Sequence, residues 1–178
     1  LPIYKHFSCM LRYSKGLTSY RLCMAAKRSS YPEVIVLYGP TGTGKSRIAE
    51  AHTRGVTSYW KPKGPWFDGY EGQKVAILDD YRCDLPFTQL LRLLDRYPMS
   101  VPKKGGFINW NPGKIVFTSN YHPMTWYNSE KHNVPALLRR LKTVIHVDTL
   151  EKGLEVLKSQ PLSDDAIDES PSGLEAGI

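Results

Sequence analysis

Four short stretches of this chain hold residue types that suit one kind of chemistry. Residues 38–50 read "YGPTGTGKSRIAE", in which Gly39, Gly44, Lys45 and Ser46 fall in the spacing G-x-x-x-x-G-K-S. Glycines at Gly39, Gly42 and Gly44 let successive backbone N–H groups point at phosphate oxygens, and Pro40, Thr41 and Thr43 complete the loop. A lysine at position 45 would reach the outer phosphates, and a hydroxyl at Ser46 suits Mg²⁺. The loop needs a strand before it and a helix after it, whose N-terminus adds a favourable dipole. Both are readable: an apolar, β-branched run over Val34–Tyr38, and "KSRIAEAH" with Ile48 and Ala49 on the inner face.

Further along, "KVAILDDY" ends an apolar strand, Val75–Leu78, in two acids. Triphosphate hydrolysis needs one acid near the metal and a second group to orient the attacking water. Asp79 suits the first task and Asp80 the second. "KIVFTSN" ends a third strand, Ile115–Ser119, at Asn120. A neutral amide there could hold the water or sense the terminal phosphate; an Asn that only caps a turn is the commoner use.

Two cationic features have open readings. "SVPKKGGFINWNP" predicts a β-hairpin turning at Gly105-Gly106, with Lys103 and Lys104 beside the turn and Phe107 and Trp110 beyond. Ammonium groups and aromatics on a projecting loop suit a single-stranded nucleic acid. Lysines that discourage strand-to-strand pairing explain the pattern equally well. Arg139 and Arg140 lie on a short helix, "VPALLRRL"; they suit charge stabilisation on a neighbour's phosphate or a solvated basic face. The five histidines show no metal spacing.

The elements that must position these residues alternate. Four strands, at Val34–Tyr38, Val75–Leu78, Ile115–Ser119 and "KTVIHVD", are separated by amphipathic helices such as "FTQLLRLLDRY". The pattern predicts an α/β fold with a mostly parallel sheet between helices, its special residues at the strands' carboxyl ends. Trp66, Phe67 and Tyr70 of "WFDGYEGQ" are expected to pack beneath the following strand. Residues 1–30 read as a small helical segment broken at Gly16, 31–150 as the nucleotide domain, and 151–178 as an acidic, flexible tail.

The 178 residues suffice for one domain with an appendage. Charge is uneven: residues 1–150 carry +12 and 151–178 carry −5, returning the net +7. A basic body favours polyanions. Apolar runs are too short to span a membrane, so no membrane partner is expected. Three cysteines without a C-x-x-C pair indicate neither a zinc site nor a disulfide framework. The chain opens on Leu1, as a piece of a longer protein would.

Taken in order, "GPTGTGKS", "YWKPKGPWFDGYEGQ", "VAILDDY", "LLRLLDRYP", "KGGFINWNPGKIVFTSN" and "ALLRRL" resemble a superfamily 3 helicase. The nearest likeness is to the helicase domain of replication-initiator proteins from circular single-stranded DNA viruses, in their circovirus-like branch. The resemblance covers about residues 31–147. It implies an AAA+-like P-loop fold working as a homo-oligomeric, usually hexameric ring, with ATP and Mg²⁺ between subunits. On that likeness Gly39–Ser46 is the Walker A loop, Asp79 and Asp80 the Walker B acids, and Asn120 the motif C sensor. Lys103, Lys104, Gly105 and Gly106 form the hairpin that grips single-stranded DNA. Arg140, which precedes an apolar residue, is the arginine finger, with Arg139 as the alternative. The first 30 residues match an oligomerisation segment. The resemblance further implies 3′→5′ translocation, a role in rolling-circle replication in the host nucleus, and a nicking domain outside these residues. An RNA helicase with the same motifs, a small-molecule kinase and a non-hydrolysing coating ring are the competing readings. The kinase lacks any trace of a lid, and the intact acids argue against the coating ring.

Overall fold

The computed structural model describes residues 27–53 and 55–149, together with Tyr13, Gly16, Glu151 and Glu155. The expectations for the oligomerisation segment and the acidic tail lie almost wholly outside these residues. Within them, Gly16 is helical where a break was expected, and Glu151 and Glu155 are helical too.

Among the described residues from 33 to 146, seven strands and three α-helices follow one another: β1 (Glu33–Tyr38), α1 (Lys45–His52), β2 (Ser58–Trp60), β3 (Val75–Leu78), α2 (Phe87–Leu93), β4 (Ser100–Lys103), β5 (Gly106–Asn109), β6 (Lys114–Ser119), α3 (Val134–Leu138) and β7 (Thr143–His146). Five strands form one sheet in the order β2-β3-β6-β1-β7, and every pairing in it is parallel. The register sets Tyr38 beside Ser119 and His146, and Leu78 beside Phe117. The strands therefore end together, and whatever follows each of them collects along one rim.

Alternation along the strands builds two cores. Val34, Val36, Ala76, Leu78, Ile115 and Phe117 face one side with Leu90, Leu93 and Leu94 of and after α2. Ile35, Leu37, Val75, Ile77 and Val116 face the other with Ile48 and Ala49 of α1. Successive side chains of a strand point to opposite faces, so a strand covered on both sides reads as an unbroken apolar run. This confirms the α/β class and the helices on both faces.

Strands β4 and β5 stand apart as an antiparallel hairpin, with Lys103 paired to Gly106. Its turn residues are Lys104 and Gly105, one position earlier than the glycine pair suggested. Two sequence expectations need correction here. Trp110 is a core residue, 1% exposed, donating its indole N–H to the Leu93 carbonyl and packing on Phe67 and Tyr70. Trp66, expected to pack beneath β3, is 46% exposed, while Phe67 and Tyr70 are buried as expected. Spacing marks which aromatics are near a strand, but which of two neighbours faces inward depends on the intervening turns. Strand β2 went unread, because three residues in a glycine- and proline-rich region carry no periodic signal.

Candidate functional site

The phosphate loop lies between β1 and α1, as the motif requires. The Gly39 N–H donates to the Ser119 carbonyl at 3.1 Å, and the Val147 N–H donates to the Tyr38 carbonyl at 2.8 Å. The loop's root is thereby clamped between the ends of β6 and β7. A Cβ on Gly39, whose φ is +149°, would stand 2.2 Å from the Val147 carbonyl oxygen. Only glycine fits that contact. Gly44 is left-handed (φ 80°) at the N-cap of α1, and no side chain caps this end. The donors of the helix's first turn are thus open to an anion. Lys45 is 8% exposed and its ammonium donates to the Gly39 and Pro40 carbonyls at 2.8 and 2.6 Å. Burial lowers its pKa, while the charges of Asp80 and Asp79 pull the other way.

The rim gathers the second group of residues. Asp79 Oδ1 accepts from Ser46 Oγ at 2.6 Å and from Thr118 Oγ1 at 2.7 Å. The Asp80 N–H donates to the same Thr118 Oγ1 at 2.7 Å. One buried hydroxyl on β6 therefore fixes both acids of β3. Asp80 adopts φ 44°, uncommon outside glycine, and its carboxylate accepts from Asn120 Nδ2 at 3.4 Å and pairs with Arg82 at 3.1 Å. Lys63 donates to the Asp79 carbonyl at 3.1 Å, the Asp80 carbonyl at 2.5 Å and Asp84 Oδ2 at 3.1 Å. A carboxylate beside a hydroxyl is the sparse, all-oxygen protein contribution that Mg²⁺ takes when phosphate and water fill its other positions. Ser46 and Asp79 fit that ion.

The structure thus brings Gly39–Ser46, Asp79, Asp80 and Asn120 to one place. It leaves Arg139 and Arg140 elsewhere. They precede β7, whose first residue pairs with Ile35 of β1. With a strand rise of about 3.3 Å per residue, Ile35 lies roughly 13 Å short of Gly39, and the arginines lie further back still. Neither can serve this chain's own phosphate loop. Arg139 is exposed, whereas Arg140 pairs with Asp95 at 2.7 Å and donates to the Ala136 carbonyl at 2.7 Å. Burial pushes the Asp95 carboxyl up, but hydrogen bonds from Arg140 and the Arg96 N–H, with the Arg140 and Arg28 charges, outweigh it and hold its pKa below the ordinary value.

The hairpin presents Lys104, whose side chain is 80% exposed, and Phe107, 68% exposed, while Lys103 is half-buried. Lys104 and Phe107 are therefore the cation and the ring most open to a strand of nucleic acid, with Lys103 partly exposed beside them. Trp110 is not open to one.

Thr118, Arg82, Lys63 and Arg28 escaped the sequence reading. Thr118 left a trace: a hydroxyl next to the end of an otherwise apolar strand, two residues before Asn120. Arg82 follows the acids at i+2. Lys63 left none, because its position depends on the unread strand β2. Arg28 is 4% exposed and donates to the carbonyls of Leu93, Arg92 and Tyr97, closing the C-terminal end of α2. Among the described residues, Cys83 is the one cysteine and is unpaired, and no helix is long and apolar enough to cross a membrane.

Residues 35–121 match a family model described as RNA helicase. The replication-associated protein of canary circovirus is 40% identical over 156 residues, covering 86% of this chain and 53% of that protein. That of beak and feather disease virus is 42% identical over 145 residues, covering 80% and 49%. That of porcine circovirus 2 is 42% identical over 121 residues, covering 67% and 38%. The chain spans about half the length, or less, of these relatives. With the phosphate loop, the paired acids and the hairpin in one fold, these matches show that the chain belongs to the superfamily 3 helicase domains of circovirus-like replication-associated proteins.

Proposed function

We propose that this domain is an ATP-hydrolysing motor that moves 3′→5′ along single-stranded DNA, as the helicase part of a rolling-circle replication initiator acting in the host nucleus. The observation that carries the reading is the 2.6 Å contact between Ser46 Oγ and Asp79 Oδ1, with Lys45, Asp80 and Asn120 around it. In this reading the loop N–H groups and the open N-terminus of α1 bind the β-phosphate. Lys45 exchanges its contacts with the Gly39 and Pro40 carbonyls for the outer phosphates. Mg²⁺, when bound beside Ser46 and Asp79, neutralises charge on the phosphates. Asp80 accepts a proton from the attacking water, and Asn120, already 3.4 Å from Asp80 Oδ1, orients that water against the γ-phosphate.

Arg139 and Arg140 lie at the far end of the sheet, so they can complete only a neighbour's site. A hexameric ring of copies supplies that geometry. Arg139 reaches a neighbour as it stands; Arg140 would first have to release Asp95. Lys103 and Lys104 then grip the DNA backbone, and Phe107 offers a stacking face. The family model's description favours a second reading, in which the strand is RNA.

The test is ATP hydrolysis with and without oligothymidylate or oligouridylate. DNA should stimulate turnover more than RNA. Lys45→Ala should abolish turnover and keep DNA binding. Mixing Arg139→Ala or Arg140→Ala subunits with Lys45→Ala subunits should restore part of the activity for whichever arginine is the finger. Absence of hydrolysis, or stimulation by RNA alone, would overturn the DNA motor.

A further inference from the structure

One motif, "KPKGPWFDGYEGQ", has so far only a packing account. Its contacts reach both halves of the site. At one end, Lys63 places its ammonium on the carbonyls of Asp79 and Asp80 and on Asp84. Three acceptors saturate its three N–H donors. At the other end, Asp68 Oδ1 accepts the Lys104 N–H at 2.7 Å, and Asp68 Oδ2 lies 3.6 Å from the Lys104 ammonium. The next bonds reinforce that end: the Phe67 N–H donates to the Pro102 carbonyl at 2.8 Å, and the Asn111 N–H to Tyr70 Oη at 3.1 Å.

Further contacts anchor the segment. Phe67 is fully buried, Lys61 sits 4.8 Å over its ring, and the Lys61 ammonium also binds the Pro62 and Gly64 carbonyls. Exposed ion pairs contribute little by themselves. Here most contacts are to backbone atoms, so they fix where the acid turn and the hairpin turn sit, and not merely how two side chains meet.

We propose that residues 61–68 are a strap tying the acid pair to the hairpin turn, with Lys63 and Asp68 as positioning residues at its two ends. The inference rests on the functional reading above. A rearrangement of the Asp79–Asp80 turn on nucleotide binding would pull on Lys63. The short path from Lys63 to Asp68, anchored at Phe67, would carry that displacement to Lys104. By linkage, nucleic acid on the hairpin would then alter the acids by the same free energy.

The experiment measures the affinity of fluorescent oligothymidylate, with and without a non-hydrolysable ATP analogue, on the full chain. In wild type the analogue should change that affinity by about fivefold or more, the low end of typical inter-site couplings, and in Asp68→Ala by less than about twofold. Asp68→Ala should leave DNA-free ATP hydrolysis unchanged. Asp68→Asn keeps the Oδ1 acceptor for the Lys104 N–H and should keep the linkage. Lys63→Met should lower kcat without raising KM for ATP and lose the linkage, and Lys63→Arg should recover part of it. Wild-type linkage in both Asp68→Ala and Lys63→Met would overturn the strap. A wild type that neither hydrolyses ATP nor binds DNA would overturn the motor instead.

Discussion

Replacing Thr118 by valine keeps the side chain's shape and removes one hydroxyl. That hydroxyl is 1% exposed as part of its residue, donates to Asp79 Oδ1 and accepts the Asp80 N–H, both at 2.7 Å. Losing a hydrogen bond to a charged group costs about 1.5–3 kcal/mol, and leaving a buried N–H without a partner about 1–3 kcal/mol. Ser46 Oγ still serves Asp79, so the carboxylate is not abandoned and the lower ends of these ranges apply. The added methyl returns about 0.8 kcal/mol. The net loss is about 2 kcal/mol, or a fall in Tm of about 4–8 °C for a chain of this size. Turnover should suffer more than stability suggests, because Asp80 holds an uncommon φ of 44° through the bond that is lost. A decrease in kcat of about tenfold to a hundredfold corresponds to 1.4–2.7 kcal/mol of transition-state stabilisation. The assays are thermal unfolding and steady-state ATP hydrolysis, with Thr118→Ser as the control that keeps the hydroxyl. A Thr118→Val protein with wild-type Tm and wild-type kcat would refute the claim that this hydroxyl sets the acids.

Three other outcomes follow from the same geometry. Gly39→Ala forces a Cβ to within 2.2 Å of the Val147 carbonyl oxygen, so the loop must move and binding of a fluorescent ATP analogue should be lost; unchanged affinity would show that the clamp between β6 and β7 is loose. Trp110→Phe should lower stability by about 1–3 kcal/mol through lost volume and the lost indole bond, yet leave DNA affinity alone, whereas Phe107→Ala should weaken DNA binding without unfolding the chain; the opposite pattern would return Trp110 to the DNA surface. The Asp95 carboxyl has its pKa depressed in the folded state, so its pairing contributes stability above its unfolded value of about 3.9, and that contribution is lost as pH falls through the lower folded value. Arg140→Ala should therefore destabilise the protein at pH 7, and the difference from wild type should shrink below about pH 4; a constant difference in urea unfolding from pH 7 to 3 would count against the ion pair as its source.

Much of the fold was legible because it obeys a short-range rule. Strands β1, β3 and β6 are continuous apolar runs since both their faces are covered, and each stops at the residue that carries chemistry. The loop, the acids and Asn120 were readable for the same reason: each is attached to a strand end, and parallel strands that start together end together. The hairpin was legible from its glycines, which relieve the turn. What failed was orientation and short elements. Trp66 and Trp110 exchanged their expected environments, because the path of the turns between strands determines which neighbouring ring faces the core. Strand β2 is three residues long and gains its identity from pairing with β3.

The sequence by itself determined the phosphate loop, the acid pair at the end of a buried strand, the parallel sheet with helices on both faces, and the basic hairpin. These depend on residue type and on periods of two and 3.6 positions, which are local. Only the tertiary structure decided that Thr118 binds both acids, that Arg140 is held by Asp95 while Arg139 is exposed, and that Lys63 meets the acid turn while Asp68 meets the hairpin turn. Those relations join residues 33–45 positions apart, or reach across neighbouring strands, and no local pattern records which strands become neighbours. Chain-distant contacts arise when the sheet order β2-β3-β6-β1-β7 is set by packing, and the chemistry of the rim is fixed at that step.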